Sequence, residues 1–446
     1  MNGKQLAEMI VPPPGPRSLA LLGRLAHAEA PGLTLPGGVV WAEAVGANVL
    51  DVDGNRYIDL TAAFGVAGIG HRNPRVVAAV QAQSERLLHG MGDVFAHEAR
   101  VELVETLARL APMPDARVFL AGGGAEAVEI ALKTATLATG KSGVLAFTGA
   151  YHGLTFGALA PTSRAAFRDP FAAHLSATIV RAPYPYAYRW PTADCAAESL
   201  AQTADLLRAN PTIGAVIVEP IQGREGEIVP PAGWLPGLRA LCDQHQIVLI
   251  ADEIFTGWGR TGSLWAVDHD GVVPDLICVG KGMTGGLPLA ACVGRAALMG
   301  AWRVEGEPLH TATFMGHPLG CVGALAAIAE LHDQRLIERC ARLGEYTLKR
   351  LQQFAADCPQ IGEVRGRGLM LGIELVQDQT SKTPAPPLAF RIVQECQQRG
   401  VLLLGGGMYG NVLSLTPPFV ITEEQLDWAL DVVESVIGET VKRLFS

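Results

Sequence analysis

The sequence predicts an α/β fold: a large domain with a mostly parallel sheet flanked by helices, and a smaller α+β domain. Three observations predict it. Residues 247–251 and 276–279 are short, β-branched apolar runs, suited to strands buried on both faces and too short for helices. From about Arg117 onward, similar runs alternate with amphipathic stretches of helical length. The two runs deliver Asp252 and Lys281 at or just past their carboxyl ends, the rim where open α/β sheets bind ligands. A structural ion pair beside a solvated lysine would leave the same local pattern, so the neighbouring segments have to decide.

Taken in order, residues 1–36 are punctuated by Pro and Gly, with one short helix expected from Ser18, as N-cap, to about Ala30. Such a segment reads as an arm lying over another surface. Residues 39–60 read as short strands around the turn Asp53-Gly54-Asn55. Asn73-Pro74 opens a helix over 75–88, and another runs over 97–110. Strands follow at 117–120, 144–147, 215–218 and 290–293, interleaved with helices at 126–139, 196–209 and 233–245. Helices at 319–331 and 334–354 lead into a last portion with strands at 370–375 and 412–415 and helices at 387–399 and 423–443. The expected division is an arm and part of the small domain over 1–60, a large domain over 61–335, and a small domain over 336–446 that both chain ends help to form.

Composition narrows the function. At 446 residues, 49% apolar and 18% charged, the chain can bury two substantial cores. A net charge of −9 gives no electrostatic footprint for nucleic acid. The eight Cys include no C-x-x-C pair; they read as reduced thiols, and no metal site is expected. The first residues lack a secretory pattern, and no apolar run has membrane-spanning length, so a cytoplasmic enzyme is the expectation.

Four constellations bear on chemistry. Gly122-Gly123-Gly124-Ala125 sits between a strand and a helix, where bare backbone N–H groups and the helix N-terminus favour an anion such as a phosphate. Tyr151-His152-Gly153 follows the next strand and can set an aromatic face against a flat ring. Glu219 ends a third strand on the same rim as Asp252. A polar loop from Thr311 to Pro318 precedes a helix and can hold an anion. Two glycine-rich stretches are decoys. Gly140-Lys141-Ser142 ends a helix instead of opening one, and Gly405 to Gly407 precede no helix and read as a turn. Phosphate cradle, stacking aromatic, strand-end Asp and Lys together meet the needs of pyridoxal 5'-phosphate: a lysine to form a Schiff base with its aldehyde, and an Asp to keep its ring nitrogen protonated.

With GGAEAVEIALK, YHG, VEPIQG, ADEIFTGWGRTG, VGKGMTGG, TFMGHP, RGRGLMLGIEL and TPPFVIT in sequence, the chain from about Val39 onward resembles the class III pyridoxal-phosphate aminotransferases of fold type I. The resemblance implies that Lys281 carries the cofactor and shuttles the substrate proton, and that Asp252 pairs with the ring nitrogen. It implies that Gly124 and Ala125 hold the phosphate, that Tyr151 and Ile254 flank the ring, and that Thr313 reaches the phosphate of a neighbouring subunit. His152 and Glu219 complete the candidate cofactor contacts, and a homodimer or dimer of dimers follows. Phe64, Leu154, Arg224 and Ser414 are the candidate substrate contacts. Leu154 and Ser414 stand where relatives carry carboxylate-binding arginines, and Phe255 stands where a Gln often bonds the cofactor's ring oxygen. Losing a bidentate arginine is a large change. It leaves Glu219 as a free carboxylate suited to a distal cation, or to another arginine such as Arg224. The resemblance therefore implies an aminotransferase that moves an amino group from an ω-amine or amino acid to a 2-oxo acid with ping-pong kinetics. A racemase or epimerase of amino acids or amino-lactams in the same family is the alternative. A non-catalytic binding protein would not be expected to keep both Lys281 and Asp252.

Overall fold

The structure is a computed structural model that describes residues 1–32 and 38–445. The segment 33–37, in the expected arm, lies outside the described residues. The centre is a seven-stranded sheet. From one edge its strands are Ala116–Ala121, Ala290–Arg295, Leu276–Val279, Val248–Asp252, Ile213–Val218, Gly143–Phe147 and Ile179–Ala182. Ala290–Arg295 runs antiparallel to both its neighbours, and the other pairs are parallel. Six strands therefore point one way, and their carboxyl ends share one rim.

Alternate residues along these strands feed two opposite cores. Val144, Ala146, Ala215, Ile217, Val248 and Ile250 pack on the face covered by helix Gly124–Thr139. Leu145, Phe147, Val216, Val218, Leu249 and Ala251 join Trp234, Leu235 and Leu238 of helix Trp234–His245 on the other. Both faces are covered, which is why these strands read as continuous apolar runs rather than alternating ones.

Two smaller sheets flank the large one. The antiparallel ribbon Trp41–Val45, Asn48–Asp51, Arg56–Asp59 gains Val401–Leu402 as a parallel fourth strand, so the two chain ends share a sheet. Gln425 strengthens the join, its amide donating to the carbonyls of Gly3 and Gln5. A second antiparallel sheet orders Ile361–Arg367, Met370–Leu375, Val412–Leu415 and Leu404–Gly406.

Several expectations change. The first helix spans Pro16–Ala28, and Ser18 lies inside it, not at its cap. The cap comes from a distance: the Asp53 carboxylate in the hairpin turn accepts the N–H groups of Arg17 and Ser18 at 2.7 and 2.8 Å. The arm's first residues pack on their own chain, with Glu8 and Arg56 exchanging backbone bonds and Asn55 accepting the N–H groups of Ile10 and Val11. Gly405 and Gly406 are strand residues rather than a turn. The strands Ile179–Ala182 and Ile361–Arg367 lie in segments whose sequence signals none. All eight cysteines are free and buried. Among the described residues no helix is long and apolar enough to cross a membrane, and no group of residues has the make-up of a metal site.

Candidate active site

The common rim of the large sheet opens into a cavity of about 470 Å³. The strand Val248–Asp252 ends on Asp252, which is buried and pairs across the rim with Cys278 of the next strand. One Asp252 oxygen lies 2.7 Å from His152 Nδ1, and the other accepts the Ile254 N–H at 3.1 Å. The imidazole is buried too, so the carboxylate is held in one orientation by a side chain and by its own backbone.

Lys281 follows the strand Leu276–Val279 after one glycine, with a φ of 42° that carries it off the strand direction at the cavity floor. Burial pulls its ammonium down to about 8, against the opposing pull of the Asp252 and Glu219 carboxylates. Its Nζ sits 3.8 Å from the centre of the Phe255 ring. Phe255 is wedged between glycines: a Cβ at Gly223 would fall 2.3 Å from the ring. The position expected to offer a polar partner is thus an apolar wall against the amine.

At the far side of the rim, helix Gly124–Thr139 begins after Gly123 with no side-chain cap on its first turn. Glu126 turns back to accept the Gly122 N–H at 2.6 Å, and Gly124 and Ala125 line the cavity. Ile254 packs against Gly124, where a Cβ would meet it at 3.1 Å. The turn Tyr151-His152-Gly153 seats on this helix because Gly153 has no side chain; a Cβ there would meet Ala125 Cβ at 2.7 Å.

Glu219 is not the free carboxylate its place in the sequence suggests. Its oxygens accept the Tyr151 N–H at 2.8 Å and the Gly223 N–H at 3.1 Å, strapping two loops together. Burial raises it to about 7. Arg224 is no remote surface residue: it lines the cavity, its guanidinium 4.9 Å from the Tyr151 ring and 5.3 Å from that of Phe167. Among the described residues it has no ion-pair partner, whereas nearby Arg164 is paired with Glu225 at 2.8 Å. Phe64, 58% exposed on a run of left-handed residues, and Leu154 stand at the mouth. Thr313 is exposed and does not reach this chain's own cavity.

Glu227 escaped sequence reasoning. It lines the cavity, is 1% exposed, and accepts the Ser414 hydroxyl at 2.5 Å. Burial raises it to about 8. The available signal was a second acid in Arg224-Glu225-Gly226-Glu227, so close after a strand end on the rim. Leu404, Gly405, Gly406 and Thr416 also line the cavity unannounced.

The family model for aminotransferase class-III matches residues 34–437. The chain belongs to the class-III aminotransferases. A 4-aminobutyrate aminotransferase of Mycobacterium bovis is 40% identical, over 98% of this chain and 99% of that one. An acetylornithine aminotransferase of Methanosarcina mazei is 38% identical, over 89% and 91%. Among solved structures, an (S)-enantioselective omega-transaminase from Thermomicrobium roseum superposes with a TM-score of 0.90 at 30% identity, covering 95% of this chain and 99% of that one. This class-III aminotransferase is a pyridoxal-phosphate-dependent transaminase with the fold type I architecture. The residues of the rim fit that cofactor. An uncapped helix end can take the phosphate, a carboxylate braced by an imidazole can face the ring nitrogen, and a depressed lysine can meet the aldehyde.

Proposed function

We propose that the protein transfers an amino group from an ω-amine donor to a 2-oxo acid at this one cavity. The observation that carries the reading is Arg224, a cation without an ion-pair partner among the described residues, held over Tyr151 on the same cavity as Lys281 and Asp252. Bound there, the cofactor would supply an aldehyde for the amine and an electron-withdrawing ring. Lys281 Nζ would hold the cofactor at rest and, once released, would take and return the substrate proton; a pKa brought down to about 8 suits a base working near neutrality. Asp252 keeps the ring nitrogen protonated, and His152 fixes its orientation. The first turn at Gly124 and Ala125 would bind the phosphate and Tyr151 and Ile254 would flank the ring, while Glu219 ties the Tyr151 turn to the Gly223 loop. Phe64 and Leu154 contact substrate at the mouth. Arg224 binds the carboxylate of the 2-oxo acid, replacing the arginine absent at Ser414.

The same reading makes the protein a cytoplasmic homodimer in which Thr313 completes the phosphate site of the neighbouring subunit. Its exposure beside Phe314, itself 65% exposed, supports that assignment. The test is a half-reaction. An amine given without 2-oxo acid should abolish the visible band of the lysine-bound cofactor, and pyruvate or 2-oxoglutarate should restore it. Loss of optical activity from a single amino-acid enantiomer, with the band intact and no acceptor present, would assign a racemase instead.

A further inference from the structure

Three carboxylates line the cavity, and they are not equivalent. Asp252 is committed to His152 and the Ile254 N–H, and Glu219 to two backbone N–H groups. Glu227 is committed through one oxygen only. Its Oε1 accepts the Ser414 hydroxyl, while its Oε2, fully buried, has no hydrogen-bond partner among the described residues. The charge of Arg365 acts on it from behind, but among the described residues the two form no ion pair. The Arg365 Nη1 is taken by Glu363 at 2.7 Å and Glu374 at 2.6 Å and its Nε by the Gly226 carbonyl, while its buried Nη2 has no partner among the described residues.

The backbone fixes this carboxyl in place. Gly226 has a φ of 112° and Glu227 a φ of 53°, so the loop reverses just where the side chain enters the cavity wall. On the sheet side Oε2 lies against Gly372, where an added Cβ would meet it at 3.0 Å. A buried carboxyl with an unsatisfied oxygen is costly, and burial holds it up to about 8. A cation arriving from the cavity would relieve that cost.

We propose that Glu227, oriented by Ser414, is the recognition point for a second, distal ammonium on the amine donor, so that α,ω-diamines are preferred over monoamines of the same length. The inference rests on the aminotransferase reading of the cavity and names its donor class. Arg224 and Glu227 then divide the work between the half-reactions: the arginine receives the anionic acceptor, and the glutamate receives the far end of the dicationic donor.

The test uses the holoenzyme with pyruvate as acceptor, comparing diaminobutane and diaminohexane with butylamine and hexylamine. The wild type should show a diamine-to-monoamine ratio of kcat/KM of about tenfold or more for at least one length. Glu227→Gln should bring that ratio close to one, Glu227→Asp should keep part of it, and Ser414→Ala should lower it. General damage to the site would depress both amines together and leave the ratio unchanged, which would overturn the proposal. So would a wild-type ratio near one while both amines are turned over, with the aminotransferase reading left standing. If neither amine alters the cofactor band or yields alanine, both readings fall.

Discussion

The sheet rim and the loop wall face each other across one cavity, yet they are built by different means. Asp252 and Lys281 sit where neighbouring parallel strands end, on backbone fixed by the pairing of Asp252 with Cys278. The opposing wall, from Gly223 to Glu227 together with Leu404–Gly406 and Ser414, comes from a reversing loop and a small separate sheet. Catalytic geometry tolerates little displacement, and a buried sheet supplies that rigidity. Substrate choice depends on placed charges, and a loop can change them without disturbing the core. On the proposed reading the chemistry belongs to the rim and the specificity to the wall.

Substitutions on the two sides should therefore fail in different ways. Asp252→Asn keeps the side-chain size and a hydrogen bond to His152 but removes the charge proposed to face the ring nitrogen. It should lower kcat/KM for every donor and acceptor alike, by about 10²–10³-fold. Steady-state kinetics over several substrates checks this, and a loss confined to one substrate class would erase the distinction between the two sides. Arg224→Leu, on the wall, should act selectively. The second-order constant for 2-oxo acid acceptors should fall by about ten- to a hundredfold through KM, more than that for amine donors. Single-turnover measurement of the two half-reactions separates them.

The same contrast explains what was legible in the chain. The rim could be read because the central strands Ile213–Val218 and Val248–Asp252 are buried and apolar along their length, so their ends stand out where Asp252 and Glu219 break the pattern. Distance in sequence hid the wall. Ser414 meets Glu227 across 187 residues, and the cap on the first helix comes from Asp53 in a later hairpin. Glu219 was legible as a rim carboxylate, but not as one spent on the N–H groups of Tyr151 and Gly223. Gly405 and Gly406 read as a turn in sequence because glycine masks a strand that only its pairing with Val412–Leu415 reveals. Arg224 had no local signal for its stacking on Tyr151, since the two lie on different loops.

The central claim is that the amine that carries the cofactor is Lys281 Nζ on the rim. Borohydride reduction of the holoenzyme, followed by peptide mapping by mass spectrometry, tests it directly. The account predicts the cofactor's mass fixed on the peptide that contains Lys281, and no such adduct in Lys281→Ala. An adduct on any other lysine, or an undiminished one in the variant, would contradict it.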